Sequence, residues 1–247
     1  MLSFFSKKAF LMDQFEGFVD IHNHLLPGID DGAETVTDSL AMIKGFGEIG
    51  IEHFVCTPHI MHNYHDNTPE TITSAFEVLQ AALRQHAMDS VHLDFAAEHM
   101  IDDNFENLLA TTSVVPLRKY YLLIEMSFLQ PPLNFKSAVS AIIDKKLFPI
   151  LAHPERYQFL GGKTVKFKSY KDLGLLFQSN ILSVAGYYGS EVQKTAFELI
   201  KANLIDFFGS DVHSMRQLNF LKEAQLEPKK IQLLRPIIER TIENFRN

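Results

Sequence analysis

Gly17-Phe-Val-Asp-Ile-His-Asn-His24 is the stretch on which the reading of the fold turns. Phe18, Val19 and Ile21 make a short apolar, β-prone run that stops in His22-Asn23-His24. In a strand, side chains at i and i+2 share a face, so both imidazoles point the same way, as two ligands of one metal ion must. Parallel α/β barrels present their chemistry at the C-terminal ends of their strands. A strand ending in paired histidines therefore predicts a parallel sheet with a metal site along one rim.

Outward from this strand, short apolar or β-branched runs alternate with longer stretches of helical spacing. A helix is expected over 34–49, with Leu40, Ile43 and Phe46 on one face, then a strand over 52–57. The next helix is opened by Thr68 as cap and Pro69 as first residue and runs to about Met88. Further strands are expected over 91–97, 120–125, 147–152, 181–185 and 205–209. Helices are expected near 102–110, from Asn134 to Lys146, near 169–178, over 191–203, and as closing stretches over 215–224 and 228–244. Seven strand–helix units with no internal repeat or linker predict an α/β, barrel-like single domain over 17–247. Residues 1–16 precede the first strand and are expected to form a short docking or disordered arm.

Composition bounds the partners. A chain that is 46% hydrophobic and 21% charged is an ordinary globular protein, not a disordered or fibrous one. With 23 basic against 30 acidic residues the net charge is −7, which argues against nucleic acid as a partner. The single cysteine, Cys56, excludes an internal disulfide and sits in an apolar strand, where burial is expected. No apolar run approaches the roughly 18 residues of a membrane helix. Lys7 and Lys8 interrupt the N-terminal apolar residues, so no signal-peptide core is expected and the cytoplasm is the expected location.

The residues at the strand ends carry the chemistry. After the first strand come His22, His24, Asp30 and Asp31; after the second, His59; at the third, Glu98; at the fourth, Glu125; at the fifth, His153 with Arg156; at the seventh, Asp211 and His213. The sixth, ending in Ala185-Gly186-Tyr187, offers no ligand. Taken singly, each has an ordinary explanation: a surface His pair, a turn at Asp30-Asp31-Gly32, a solvated acid. Their recurrence at six of seven strand ends is what points to metal. Mixed imidazole and carboxylate suit manganese, iron or zinc, and so many ligands fit two or three ions rather than one. Arg156 adds a planar fork for phosphate oxygens. Asp30 and Asp31 are adjacent, and either could supply the ligand. His53, His86, His92 and His99 show no such clustering and are expected to be structural. His62 and His65 lie in a polar loop after His59, within reach of substrate or metal. Tyr187 and Tyr188 either stack on an aromatic substrate or pack in the core. Cys56 lacks the Cys-x5-Arg spacing of a cysteine-dependent phosphatase, because position 62 is His.

Phe18-Val-Asp-Ile-His-Asn-His24, Thr57-Pro-His59, Ala97-Glu98, Ala152-His-Pro-Glu-Arg-Tyr157 and Gly209-Ser-Asp-Val-His213 resemble, in order, the motifs of the PHP (polymerase and histidinol phosphatase) superfamily. His24-Leu-Leu-Pro-Gly-Ile-Asp-Asp-Gly32 and His153-Pro-Glu-Arg156 narrow the resemblance to bacterial protein tyrosine phosphatases of capsule and exopolysaccharide clusters. The resemblance implies a distorted (β/α)7 TIM-like barrel and a three-metal site, with manganese the usual ion and iron, zinc, cobalt or magnesium as substitutes. His22, His24, Glu98 and Asp211 would hold one ion. Glu98 would bridge to a second, held with Glu125 and His153, and Asp31, His59 and His213 would hold the third. Arg156 would bind the phosphate, with Asp211 and His213 beside the reacting group. The implied substrate is a phosphotyrosine protein, the tail of a bacterial tyrosine kinase, hydrolysed by metal-activated water. Where many relatives carry Arg or Lys directly after the His59 equivalent, this chain has Ile60-Met-His-Asn-Tyr-His65. Other readings are a histidinol-phosphate or similar small-molecule phosphatase, a nuclease module of a polymerase, and a non-catalytic metal-stabilised binding module. The charge and the absence of a polymerase region oppose the nuclease.

Overall fold

A computed structural model describes residues 8–161 and 164–246. Its strands are β1 (Ala9–Phe10), β2 (Val19–Asp20), β3 (His53–Cys56), β4 (His59–Ile60), β5 (His92–Phe95), β6 (Glu98–Met100), β7 (Tyr121–Glu125), β8 (Phe148–Ala152), β9 (Leu176–Asn180), β10 (Phe207–Gly209) and β11 (Gln225–Leu226). The helices are α1 (Val36–Gly47), α2 (Pro69–Gln85), α3 (Phe105–Ala110), α4 (Phe135–Asp144), α5 (Thr164–Asp172), α6 (Ile181–Ala185), α7 (Ser190–Lys201), α8 (Met215–Glu223) and α9 (Pro228–Phe245). One ladder runs β10-β9-β8-β7-β6-β4 and another β2-β3-β5, with every neighbour parallel. The result is a single mixed α/β unit around a curled parallel sheet.

Two of the expected strands are each followed by a short further one. The strand expected over 52–57 is β3, and beyond Pro58, which has no N–H to give the ladder, the chain resumes as β4. The partner strand breaks at the same level, between β5 and β6. The register is unchanged across the break, with His53 opposite His92 and His59 opposite Glu98. Glu98 therefore opens β6 rather than closing a single third strand. The kink turns His59 and Glu98 over the sheet's C-terminal rim.

Helix starts follow their sequence signals. Thr35 and Asp38 form a reciprocal capping box on α1, and Thr68 and Thr71 form one on α2, where Pro69 takes the first turn. Apolar faces of these helices, such as Met42, Ile43 and Phe46 of α1 and Ile72, Leu79 and Leu83 of α2, are buried in the main core. No helix among the described residues is long and apolar enough to cross a membrane.

The sixth strand lies elsewhere than expected. Residues 181–185 form the short helix α6, ended by Gly186 at φ 94°, and the strand is Leu176–Asn180. The preceding helix is correspondingly early, Thr164–Asp172 rather than 169–178, and Gly174 at φ 93° turns the chain out of it. The apolar run Ile181-Leu-Ser-Val-Ala185 suits a buried helix as well as a strand, so apolarity alone misplaced the element.

Residues 8–16, expected within an arm ahead of the domain, lie against it. β1 pairs antiparallel with β11, Leu11 N donates to Ala224 O at 2.9 Å, and Leu11 and Phe15 are buried in the main core. The rest of that expected arm, residues 1–7, lies outside the described residues.

Candidate metal centre

All nine residues expected as metal ligands, with Arg156, meet on the C-terminal rim of the sheet. Three overlapping groups bring nitrogen and oxygen atoms within 4.8 Å of one another: His22, His24, Glu98 and Asp211; His59, Glu98 and Glu125; and His24, Asp31, His59 and His213. The ninth, His153, approaches through Nε2, at 3.0 Å from Glu98 Oε1 and 3.8 Å from Glu125 Oε2.

The centre of the cluster is Glu98, fully buried. Its Oε2 lies 3.1 Å from His22 Nε2, 3.2 Å from His59 Nδ1 and 3.7 Å from His24 Nε2. Asp211 Oδ1 lies 3.4 Å from His22 Nε2 and 3.5 Å from His24 Nε2. His59 Nδ1 also faces Glu125 Oε1 at 3.0 Å. On the outer side, Asp31 Oδ1 is 3.4 Å from Nε2 of both His59 and His213.

These atoms fit divalent ions. His22 Nε2, His24 Nε2, His59 Nδ1, Glu98 Oε2 and Glu125 Oε1 are buried and have no hydrogen-bond partner. Buried polar atoms of native proteins are almost always satisfied. Their spacing is also that of co-ligands: atoms about 2.1 Å from one ion sit roughly 3.0–3.4 Å apart in octahedral or tetrahedral arrangement. Burial opposes charge on Glu98 and Asp211, yet the histidines facing them hold both carboxyls well below the usual range. Burial likewise works against charge on His24, but Asp30 beside it raises its pKa to about 10. A site that grips protons this firmly presents the negative potential that a cation takes up.

The surrounding shell sets which nitrogen faces inward. His22 Nδ1 lies 2.7 Å from Gln178 Oε1, and His24 Nδ1 lies 2.7 Å from Asp30 Oδ2, which turns both Nε2 atoms to the centre. Asp30 also accepts from the His59 and Gly32 backbone N–H groups. The adjacent aspartates are thus separated by geometry: Asp30 orients His24, and Asp31 joins the cluster. Asn180 donates to Asp211 Oδ2 at 2.5 Å, and Glu155 holds the Asn180 N–H at 2.9 Å. Asp20 accepts from both the N–H and the hydroxyl of Ser210, tying β2 to the end of β10, and burial raises its pKa to about 6. His153 and Asp211 adopt left-handed backbone, φ 34° and 56°, which costs non-glycine residues energy and is found where a site holds them.

Gln178 and Asn180 were missed by sequence reading as a direct consequence of misplacing the sixth strand, and Phe128, on the loop after β7, was missed as well. A signal was present: Gln178-Ser-Asn180 is a polar triplet in an otherwise apolar stretch, at a strand end.

Arg156 flanks the cluster. Its Nη1 donates to Asp211 Oδ2 at 2.7 Å, and its guanidinium carbon lies 4.5 Å from the Phe128 ring centre and 4.3 Å from that of Tyr188. Tyr188 thus packs on the phosphate-binding candidate, whereas Tyr187 packs edge-on against Phe220. Arg156, Phe128 and Tyr188 join the cluster in bounding an open cavity of about 280 Å³. The remaining histidines divide. His65 stacks on His59 at 5.4 Å, and His62 is paired with Asp103 at the surface. His53 and His92 stack on each other in β3 and β5. His99 is buried and satisfied, through Leu123 O and Val115 N.

This chain is similar to known phosphatases. The Bacillus subtilis tyrosine-protein phosphatase YwqE is 30% identical over 209 residues, covering 84% of this chain and 82% of YwqE. The tyrosine-protein phosphatase CpsB of Streptococcus pneumoniae is 24% identical over 202 residues, covering 80% of this chain and 83% of CpsB. A crystal structure from work on YwqE and CpsB, described as metal-dependent tyrosine phosphatases, superposes with TM-score 0.77 at 26% identity, over 92% of this chain and 94% of the other. The fold is shared with a Lactococcus lactis histidinol phosphate phosphatase, TM-score 0.51 at 12% identity over 90% and 93% of the chains. The family described as capsular polysaccharide synthesis, CpsB/CapC, matches residues 18–225, and this chain belongs to it.

Proposed function

We propose that this protein is a metal-dependent protein tyrosine phosphatase. The observation that carries the reading is the set of buried, inward-facing, unpartnered nitrogen and oxygen atoms beside Arg156. Its relatives bear the name of that activity. His22, His24, Glu98 and Asp211 would hold one ion. Glu98, Glu125 and His153 would hold a second, with His59 beside it, and Asp31, His59 and His213 a third. Manganese is the proposed ion, with iron, zinc, cobalt or magnesium able to enter the same imidazole–carboxylate set. Divalent ions held there would supply Lewis acidity and would lower the pKa of bound water.

The chain's own residues do the rest. Arg156 offers two N–H groups to the phosphoryl oxygens, and its stacking between Phe128 and Tyr188 keeps the fork rigid. Asp211 orients that fork while facing His22 and His24. His213 and Asp31 stand at the open edge of the cavity, where they would flank a departing oxygen. Among the described residues no cysteine or serine lines the cavity, so it offers no thiol or serine hydroxyl for a phosphoenzyme. A phenolate departs more easily than an alkoxide, so little acid catalysis is demanded.

The same reading takes the two ladders as one distorted (β/α)7 barrel. It is supported by a parallel bridge from Asn23 to Val212 and by Asp211 N donating to His22 O at 2.7 Å. The proposed substrate is a phosphotyrosine protein, in particular a bacterial tyrosine kinase governing polysaccharide assembly, supported by the capsular role of the family.

The test is phosphate release by manganese-loaded enzyme from a phosphotyrosine peptide, a phosphoserine peptide and histidinol phosphate. Strong preference for phosphotyrosine is expected. Preference for histidinol phosphate would move the protein to small-molecule metabolism, and no turnover of any would leave a binding module.

A further inference from the structure

The cavity holding Arg156 opens on one side into a larger one of about 610 Å³. Asp31, His59, Glu125 and Phe128 line both. Beyond them the wall turns apolar. Met61 and Tyr64 stand on the turn after β4, Met126 and Leu129 follow β7, and Met100 closes β6 between them. The depression continues past Leu129 toward Pro132 and Leu133.

Three side chains on these two loops are unusually exposed: Tyr64 at 80%, Leu129 at 86% and Leu133 at 109%. Among the described residues, one other large hydrophobic, Val165, is more than three-fifths exposed. Folding gives no reason to place three such groups on two loops that flank one cleft, whereas binding does. The first loop is held in shape. Met61 and His65 are bridged, Asn63 takes the left-handed turn, and the Asn67 amide ties Ile29 O and His59 O together. Pro131 and Pro132 restrict the second.

We propose that this groove is a substrate subsite that seats an apolar side chain of the residue adjoining phosphotyrosine in a protein substrate. The inference rests on the tyrosine phosphatase reading above. A phosphoryl dianion belongs against Arg156, not on methionines. The tyrosyl ring then leaves past Phe128, the aromatic ring common to both cavities. Extended chain advances about 3.3–3.6 Å per residue, which delivers the neighbouring side chain into the groove. Met61 and Met100, unbranched, adaptable and only partly buried, select for apolar volume rather than for one shape. A small phosphate monoester leaves the groove empty, so the subsite sets a protein substrate apart from a metabolite.

The experiment compares kcat/KM for Gly-Gly-phosphotyrosine-Gly-Gly with the same peptide carrying Leu on either side of the phosphotyrosine, and for free phosphotyrosine. Wild type is run beside the double variant Tyr64→Ser, Leu129→Ser. Both side chains are exposed, so the fold does not depend on them. Burying one leucine predicts about a tenfold advantage for a Leu-flanked peptide in the wild type. That advantage should fall within about twofold in the variant, with free phosphotyrosine unchanged. Phosphotyrosine turnover without flank discrimination, or discrimination that survives the double variant, would overturn the subsite alone. Absence of turnover of every phosphotyrosine compound, with histidinol phosphate accepted, would overturn the functional reading beneath it.

Discussion

At the scale of single residues, the centre separates groups that face its middle from groups that orient them. Asp211→Asn and His153→Ala should each reduce phosphotyrosine hydrolysis by two orders of magnitude or more while leaving the far-UV spectrum intact, because the core lies beneath the rim. Wild-type activity in either would remove that residue from the centre. Gln178→Ala should act differently: His22 Nδ1 loses its partner, and metal affinity should fall about 10–100-fold. Competition with a fluorescent chelator reads that affinity directly, and an unchanged value would make Gln178 a bystander. His22, His24, Glu98 and Asp211 were legible in the sequence because ligands must be particular residue types at strand ends. Gln178 and Asn180 were not, since amides that orient ligands have no such restriction.

At the scale of elements, close packing of strand ends sets the geometry. A Cβ on Gly209, the last residue of β10, would come within 2.5 Å of His22 Cβ. A Cβ on Gly32 would meet His24 O at 2.2 Å, so the loop carrying Asp30 and Asp31 folds back only with glycine there. Gly209→Ala should therefore displace His22 and weaken metal binding along with thermal stability. Wild-type metal affinity and melting temperature in that variant would show that the strand ends have room to relax. The capped helices α1 and α2 were legible because Thr35, Thr68 and Pro69 are strong local punctuation. The kink at Pro58, which lifts His59 and Glu98 over the rim, was marked by the proline itself, whereas the resumption of the ladder as β4 and β6 depends on pairing across the sheet. The Ile181–Ala185 run failed for the related reason that burial, not periodicity, determines such a segment.

At the scale of the whole molecule, stability responds to pH through a buried histidine outside the metal cluster. Burial lowers the His99 pKa to about 4 against an unfolded value near 6.5. A depressed histidine pKa means the neutral form is the one that fits, so its contribution is complete above pH 6.5 and is lost as pH falls toward 4. The loss amounts to about 3 kcal/mol at the acid end. Urea unfolding of metal-free protein at pH 7 and pH 4.5 should show this steepening in the wild type and a weaker one in His99→Gln. Equal pH dependence in the two would mean that other groups carry the acid sensitivity.

On the proposed function, divalent ions held by this histidine–carboxylate centre are required for phosphotyrosine hydrolysis. The most direct test of that requirement is phosphate release from a phosphotyrosine peptide by chelator-stripped protein titrated with Mn²⁺, with bound metal counted at each point. Turnover should be absent in the stripped protein and return as two to three ions bind per chain. Undiminished turnover without metal, or none when the sites are filled, would contradict it.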